Sequence, residues 1–239
     1  MDAAWLEPIR AYCERTGSGF WGEPLNAVSN GAFLIAAAAA ALRERRGPMR
    51  DPAARALSAL VLIVGIGSFL FHTLALRWAM LADVIPIALF IYAYFLLAMR
   101  RFLGLGPAGA LGATLAFAAF GAGLAPLLDA ATGLSSADLS NGSIDYLPAV
   151  LALVGVTGAL LIPPQGCALG PARREAGRRL LAIAGLFLAS LACRTLDRAL
   201  CAGWPTGTHF LWHALNAGVL YGLIETARRF RERAGGPIG

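Results

Sequence analysis

The sequence predicts an all-α membrane protein, a seven-transmembrane helical bundle with its N-terminus outside and its C-terminus in the cytoplasm. Three observations predict it. The composition is too apolar for a water-soluble domain, seven apolar runs of near-spanning length follow one another, and the arginines fall on alternate connections. Hydrophobic residues make up 58% of the 239 and charged residues 14%, with a mean hydropathy of +0.65. An ordinary soluble domain carries about 25% charged residues.

Residues 1–24 carry Asp2, Glu7, Arg10, Glu14, Arg15 and Glu23 and so contain no apolar signal-peptide core. They read as an extracytoplasmic segment retained on the mature protein. The apolar runs are Leu25 to Leu42, Ala56 to Leu74, Trp78 to Met99, Ala108 to Leu128, Tyr146 to Ile162, Leu180 to Leu196 and His209 to Ala227. Each approaches the roughly 20 apolar residues that cross a bilayer. Residues 1–239 are therefore expected to form a single membrane domain, with residues 228–239 as a short cytoplasmic tail.

Orientation follows from the arginines, which resist translocation. Arg43, Arg45, Arg46, Arg50 and Arg55 follow the first span, Arg100 and Arg101 the third, Arg173, Arg174, Arg178 and Arg179 the fifth, and Arg228, Arg229, Arg231 and Arg233 the seventh. The other side holds only Arg10, Arg15, Arg77, Arg194 and Arg198. The expected location is the inner cell membrane, multi-pass. All 20 basic residues are arginine, which together with abundant Ala and Gly reads as a GC-rich bacterial coding bias. The net charge of +6 would suit nucleic acid, but its confinement to inter-span connections matches insertion topology instead. No nucleic-acid partner is expected.

Ionisable groups inside apolar spans are costly unless paired or facing a cavity, so each is a functional candidate. Ser68 and His72 close the second span, Asp83 lies in the first turns of the third, and His209 and His213 open the seventh. Given the orientation above, all five lie at the outer end. His209 and His213, spaced i, i+4, stack two imidazoles on one helix face. Three neutral imidazoles with one open position form the ligand set of a catalytic zinc. A bis-histidine haem would need imidazoles on opposite sides of a plane, which that spacing does not supply. A bland reading of each histidine alone is an interfacial side chain.

Glu14 and Glu23 flank a short loop whose carbonyls suit a hard cation such as calcium, the plain alternative being a solvated loop before a helix. Cys13 and Cys201 both fall on the outer side, where an oxidising compartment permits a disulfide. Cys167 and Cys193 have no such placement, and Cys193 reads as a small packing residue.

The segments Tyr12-Cys13-Glu14, Glu23 and Asn26-Ala27-Val28-Ser29-Asn30, with Gly67-Ser68-xxx-His72, Asp83 and His209-xxx-His213, together resemble the alkaline ceramidases. Their wider superfamily includes the progestin and adiponectin receptors. The resemblance covers both ends of the chain and the second and third spans. It implies a zinc-dependent hydrolase of the amide in ceramide or a ceramide-like membrane lipid, releasing a sphingoid base or other amine and a fatty acid. His72, His209 and His213 would be the zinc ligands. Asp83 would orient or deprotonate the attacking water, and Ser68 would hold the water or the oxyanion. Of the family's calcium ligands only Glu14 and Glu23 carry over, since Ala11 and Thr16 stand at two others. A zinc-containing receptor or sensor without hydrolysis is the alternative. A transporter would place its polar groups near the midplane instead.

Overall fold

Proline marks the beginnings of the helices, as expected where the first N–H groups have no intrahelical partner and φ is preset. In the computed structural model, which describes residues 3–163 and 170–234, prolines sit in the first turns of α1 (Pro24–Ser29), α3 (Pro52–Leu74), α5 (Pro107–Thr132), α7 (Leu147–Leu161) and α8 (Pro171–Leu200). The remaining helices are α2 (Gly31–Arg46), α4 (Arg77–Arg101), the single turn α6 (Ser136–Leu139) and α9 (His209–Ala234). Short 3-10 turns cover Ala3–Leu6 and Ser143–Tyr146. Among the described residues there is no strand, only an isolated bridge between Pro8 and Leu76. Cys167 and residues 235–239 lie outside the described residues.

Six helical stretches are long and apolar enough to cross a membrane: Pro24–Arg46, Pro52–Leu74, Arg77–Arg101, Pro107–Thr132, Ser143–Leu161 and Pro171–Leu200. They make the chain a multi-pass membrane protein, and large apolar side chains such as Ile35, Ile63, Val84, Leu115 and Leu181 point outward along them. The seventh expected span falls in α9. This helix is 26 residues long but is made less apolar by His209, His213, Asn216 and Glu225, all of which face inward and are buried.

Two helix ends differ from expectation. The arginines read as a loop after the fifth span occupy the first turns of α8, and residues 228–234, read as tail, continue α9. Arginine is a good helix former whose long side chain reaches outward from a helix end, so its charge need not break the helix.

The core depends on small residues where helices cross. Gly65 of α3 meets Leu34 and Phe33 of α2, and Gly67 meets the backbone of α4 so closely that an added Cβ would lie 2.0 Å from the Ala82 carbonyl oxygen. That crossing sets Ser68 and His72 of α3 against α4. α9 lies inside, packed on α1, α2, α3, α4 and α8, whereas α5 is peripheral.

The end of the bundle remote from the histidines is tied by ions. Asp51 caps α3 by accepting from the Ala54 N–H at 3.2 Å. It also accepts from Arg101 at 2.8 and 3.1 Å, and Arg101 in turn donates to the Ala227 carbonyl of α9 at 3.0 Å. Buried Glu44 accepts the Asp51 N–H at 2.9 Å. Burial pushes the Asp51 carboxyl up, but the Arg101 bonds and charge, with the Ala54 N–H and Arg231, outweigh it and hold the carboxyl below its ordinary value.

Gly67→Ala is expected to lower thermal stability in detergent by about 1–3 kcal/mol or more, as overpacking against backbone does. Gly112→Ala, in open space on α5, is expected to be neutral or slightly stabilising, and equal effects would contradict the tight crossing. Asp51 should contribute its full stability above the unfolded carboxylate pKa of about 3.9 and lose it as pH falls through the lower folded value. A melting profile of wild type and Asp51→Asn checks this: the difference should narrow below about pH 4.

Candidate metal centre

The turn Ala75–Leu76 joins α3 to α4 and fixes the first half of the site. Ala75 adopts a left-handed φ of 49° while its N–H closes α3 on the Phe71 carbonyl. The N-terminal segment then crosses this turn: Ile9 N–H bonds the Ala75 carbonyl at 2.8 Å, Arg77 N–H bonds the Glu7 carbonyl at 3.0 Å, and the Arg77 and Glu7 side chains pair. From there residues 7–23 form a strap over the ends of α3, α4, α8 and α9. The strap is fastened to α8 by the disulfide Cys13–Cys201, with Cα atoms 5.3 Å apart, as expected from the two cysteines' shared side.

Beneath the strap the three histidines converge. His72 comes from the last turn of α3, His209 and His213 from the first turns of α9, and one ligand nitrogen of each lies within 4.8 Å of the others. All three are buried. Ring centroids are separated by 5.2 Å (His72–His209), 4.7 Å (His72–His213) and 4.6 Å (His209–His213).

Hydrogen bonds outside the cluster set the imidazole tautomers. His72 Nδ1 donates to Glu23 Oε2 at 2.6 Å, leaving Nε2 as a lone pair that is buried with no protein partner. Ser29 Oγ donates to the Asn26 carbonyl at 2.9 Å. Its single proton is thereby used, so at 2.7 Å it accepts from His213 Nδ1 and frees that ring's Nε2 as well. His209 Nδ1 is also buried without a partner, and Tyr12 stacks on its ring at 3.6 Å. Orphaned, inward-aimed imidazole nitrogens at this spacing fit a metal ion. Asp83 of α4 lies beside Ser68 and within electrostatic reach of His72, and its Oδ1 is buried and unpartnered. The structure thus brings together His72, His209, His213, Ser68 and Asp83.

At Glu14 and Glu23, the residues expected to offer ligands to calcium, both carboxylates are engaged with protein. Glu14 caps α1, accepting the N–H groups of Leu25 and Asn26 at 2.7 and 2.8 Å. Glu23 takes Arg15 Nε at 2.5 Å, His72, and Asn26 Nδ2 at 3.0 Å. The buried Arg15 guanidinium meets the Glu23 carboxylate as its cation, donating also to the carbonyls of His72 at 2.7 Å and Gly17 at 3.2 Å. Burial pushes the Glu23 carboxyl up, but the His72, Arg15 and Asn26 bonds outweigh it and hold it below its usual range.

Sequence reasoning missed Arg15, Ser29 and Asp197. Asp197, fully buried near the end of α8, accepts the N–H groups of Thr208 and His209 at 2.7 and 2.9 Å and that of Cys13 at 3.1 Å. It caps α9 from another helix and sets the height of His209. A lone acidic residue at the edge of an apolar run was its only signal. Cys193 is a free, half-buried thiol.

Below the histidines an apolar cavity runs between α4, α5, α7, α8 and α9, lined among others by Ile87, Phe90, Tyr146, Asn216, Leu220 and Ala98. From Ile87 to Ala98 it follows α4 for about 16 Å. In comparisons with known proteins, no family model and no curated protein matches this chain.

Glu23→Gln removes the charge that orients His72 and neutralises Arg15. Metal affinity in a competitive chelator titration should fall about 10–100-fold, as for other lost outer ligand partners. Calcium chelation should leave both affinity and melting temperature unchanged. A calcium-dependent melting temperature would show that Arg15 does not fill that role.

Proposed function

We propose that this chain is a seven-span protein of the inner cell membrane that uses zinc to hydrolyse the amide of ceramide or another N-acyl lipid, with its histidine end on the extracytoplasmic side. The observation that carries the reading is the convergence of three buried imidazoles beside an unpartnered aspartate, about one helical turn from Ile87 and Asn216, which line an apolar cavity. The ceramidase-like spacing of the motifs supports the amide as the bond attacked. α9 serves as the seventh span: its 26 residues reach about 39 Å, and its polar side chains are turned into the bundle.

Three independent features support the orientation. The arginine-rich connections lie opposite the histidines. The strap disulfide calls for an oxidising compartment. Trp5 in the turn before the strap, Phe20 and Trp21 on it, and Trp204 beyond α8 are exposed, as rings at a membrane–water boundary are.

Zinc, when bound, supplies a Lewis acid that polarises a carbonyl and acidifies a water. The chain's own groups do the rest. The cavity takes the acyl chain and so sets the amide at the depth of the histidines. Asp83 Oδ1, with no other partner, orients a water, accepts its proton as the water oxygen bonds the carbonyl carbon, and returns it to the amide nitrogen as the C–N bond breaks and the amine leaves. The Ser68 hydroxyl beside it donates to the carbonyl oxygen as charge develops there. The strap keeps bulk water away. A non-hydrolytic receptor would have no use for a carboxylate left unpartnered beside the histidines, which favours the hydrolase.

Purified protein should contain about one zinc per chain and release fatty acid from a panel of ceramides and N-acyl lipids. His213→Ala should lose zinc, and turnover should fall about 100-fold or more. Turnover retained by the zinc-free variant would sink the reading.

A further inference from the structure

The guanidinium of Arg194 is enclosed, yet it is not matched by a counter-charge. Arg194 stands on α8 two turns before the disulfide, its guanidinium carbon 5.8, 5.4 and 5.6 Å from the ring centroids of Tyr12, Tyr146 and Trp212. Nη1 donates to the Tyr12 hydroxyl at 2.8 Å. Nε is out of water with no partner, and among the described residues Nη2 makes no hydrogen bond. Arg15, Arg101 and Arg228 each grip a carboxylate. Among the described residues Arg194 grips none within 4.0 Å; Asp83 acts on it only from beyond that distance. Aromatic faces offset part of the cost of a buried cation but do not satisfy its donors.

The surroundings are shaped around this group. Asn141 Nδ2 bonds the Arg194 carbonyl at 3.0 Å and holds the preceding loop over α8. Next to it Gly142 has φ +72° and leaves Nη2 free space, since an added Cβ would come within 3.1 Å of that nitrogen. Tyr146, one of the three rings, is also a wall of the apolar cavity. Tyr12 stacks on His209, so Arg194 is one ring away from both the cavity and the histidines.

We propose that Arg194 is an anion subsite that receives one carboxylate carried at the polar end of an apolar chain lying in the cavity. Nε and Nη2 form the side of the guanidinium that meets two carboxylate oxygens in parallel. A single cation among neutral rings matches one negative charge. Under the proposed hydrolysis, on which this assignment of source rests, the carboxylate comes either from the amine half of an N-acyl amino acid or from the released fatty acid.

Equilibrium binding to the purified zinc-loaded protein distinguishes these sources, using palmitic acid, N-palmitoylglycine and the uncharged N-palmitoylethanolamine. Melting temperature and zinc content are measured alongside to verify folding. R194Q is expected to weaken one or both carboxylates about 10–100-fold while leaving the ethanolamide within about twofold. Loss confined to N-palmitoylglycine identifies the amine half of the substrate as the source, and loss confined to palmitic acid identifies the product. Undiminished carboxylate binding in folded R194Q, or equal loss for all three ligands, would overturn the subsite. Should R194Q not fold, R194K decides: it keeps the charge but not the fork, so carboxylate binding alone should fall about tenfold, and unselective change overturns the proposal. Hydrolysis is followed in the same samples. Arg194-dependent carboxylate binding without cleavage overturns the hydrolase and leaves the subsite standing; cleavage without such binding does the reverse.

Discussion

The carboxylate of Glu23 is divided between a guanidinium and an imidazole because none of the three can be left alone beneath the strap. Arg15 is buried where water does not reach it, and its charge is tolerable only beside another of opposite sign. Glu23 meets that need with one oxygen and uses the other to orient His72. Arg15 then spends its remaining donors on the His72 and Gly17 carbonyls, closing the end of α3 under the loop that follows Cys13. The same few atoms therefore fold the strap, cap a helix end and set a tautomer. Removing the charge on any one of them leaves a buried partner uncompensated, which is costlier than the loss of the contact itself.

Charge is kept toward the two ends of the bundle, while among the described residues its middle holds only neutral polar groups such as Tyr94 and Asn216. At the far end Asp51, Arg101 and the α9 carbonyl of Ala227 join α3, α4 and α9, while Glu225 gathers Arg228 and Arg229 at 2.9 and 2.6 Å. Between the ends the helices approach through glycine and apolar contact, and what space remains is the cavity. Helix packing in lipid gains little from the hydrophobic effect itself. Close crossings such as Gly67 on Ala82, together with ionic ties at each end, are what hold the helices in register.

Hydropathy made the six apolar spans legible because length and composition are local properties, and histidine placement made the candidate metal ligands legible because all three histidines gather at a single end. The seventh expected span, α9, differs from the other six. It was read as another apolar run, yet it is not among the six stretches apolar enough to cross a membrane by composition, and it is buried by its neighbours and carries polar groups of the site. The partners of those groups were not legible. Asp197 caps a helix it does not belong to, Ser29 orients a histidine 184 residues away, and Arg15 was counted only as an outer charge. Each role depends on which elements the fold places together. The protein partners of Glu14 and Glu23 were illegible for the same reason: sequence spacing does not show that one caps α1 and the other takes Arg15.

The contrast between the histidines and Asp83 separates preparation from chemistry. His72 and His213 are each held through Nδ1, His209 by the stacked Tyr12 ring and by the Asp197 cap on its backbone, so the ligand nitrogens are fixed by protein contacts alone. A site organised in this way does not have to order its ligands when an ion arrives, and outer partners of this kind raise metal affinity. Asp83 is treated differently. It lies among groups that are otherwise tied down, yet its Oδ1 is given no donor. A buried carboxylate oxygen without a partner carries a standing cost. Glu23, Asp51 and Asp197 are satisfied two or three times over, and Glu44 Oε2, likewise buried without a hydrogen bond, has Arg50 at 4.0 Å; among the described residues Asp83 Oδ1 has no cation that near, which is why the proposed proton transfer is assigned to it.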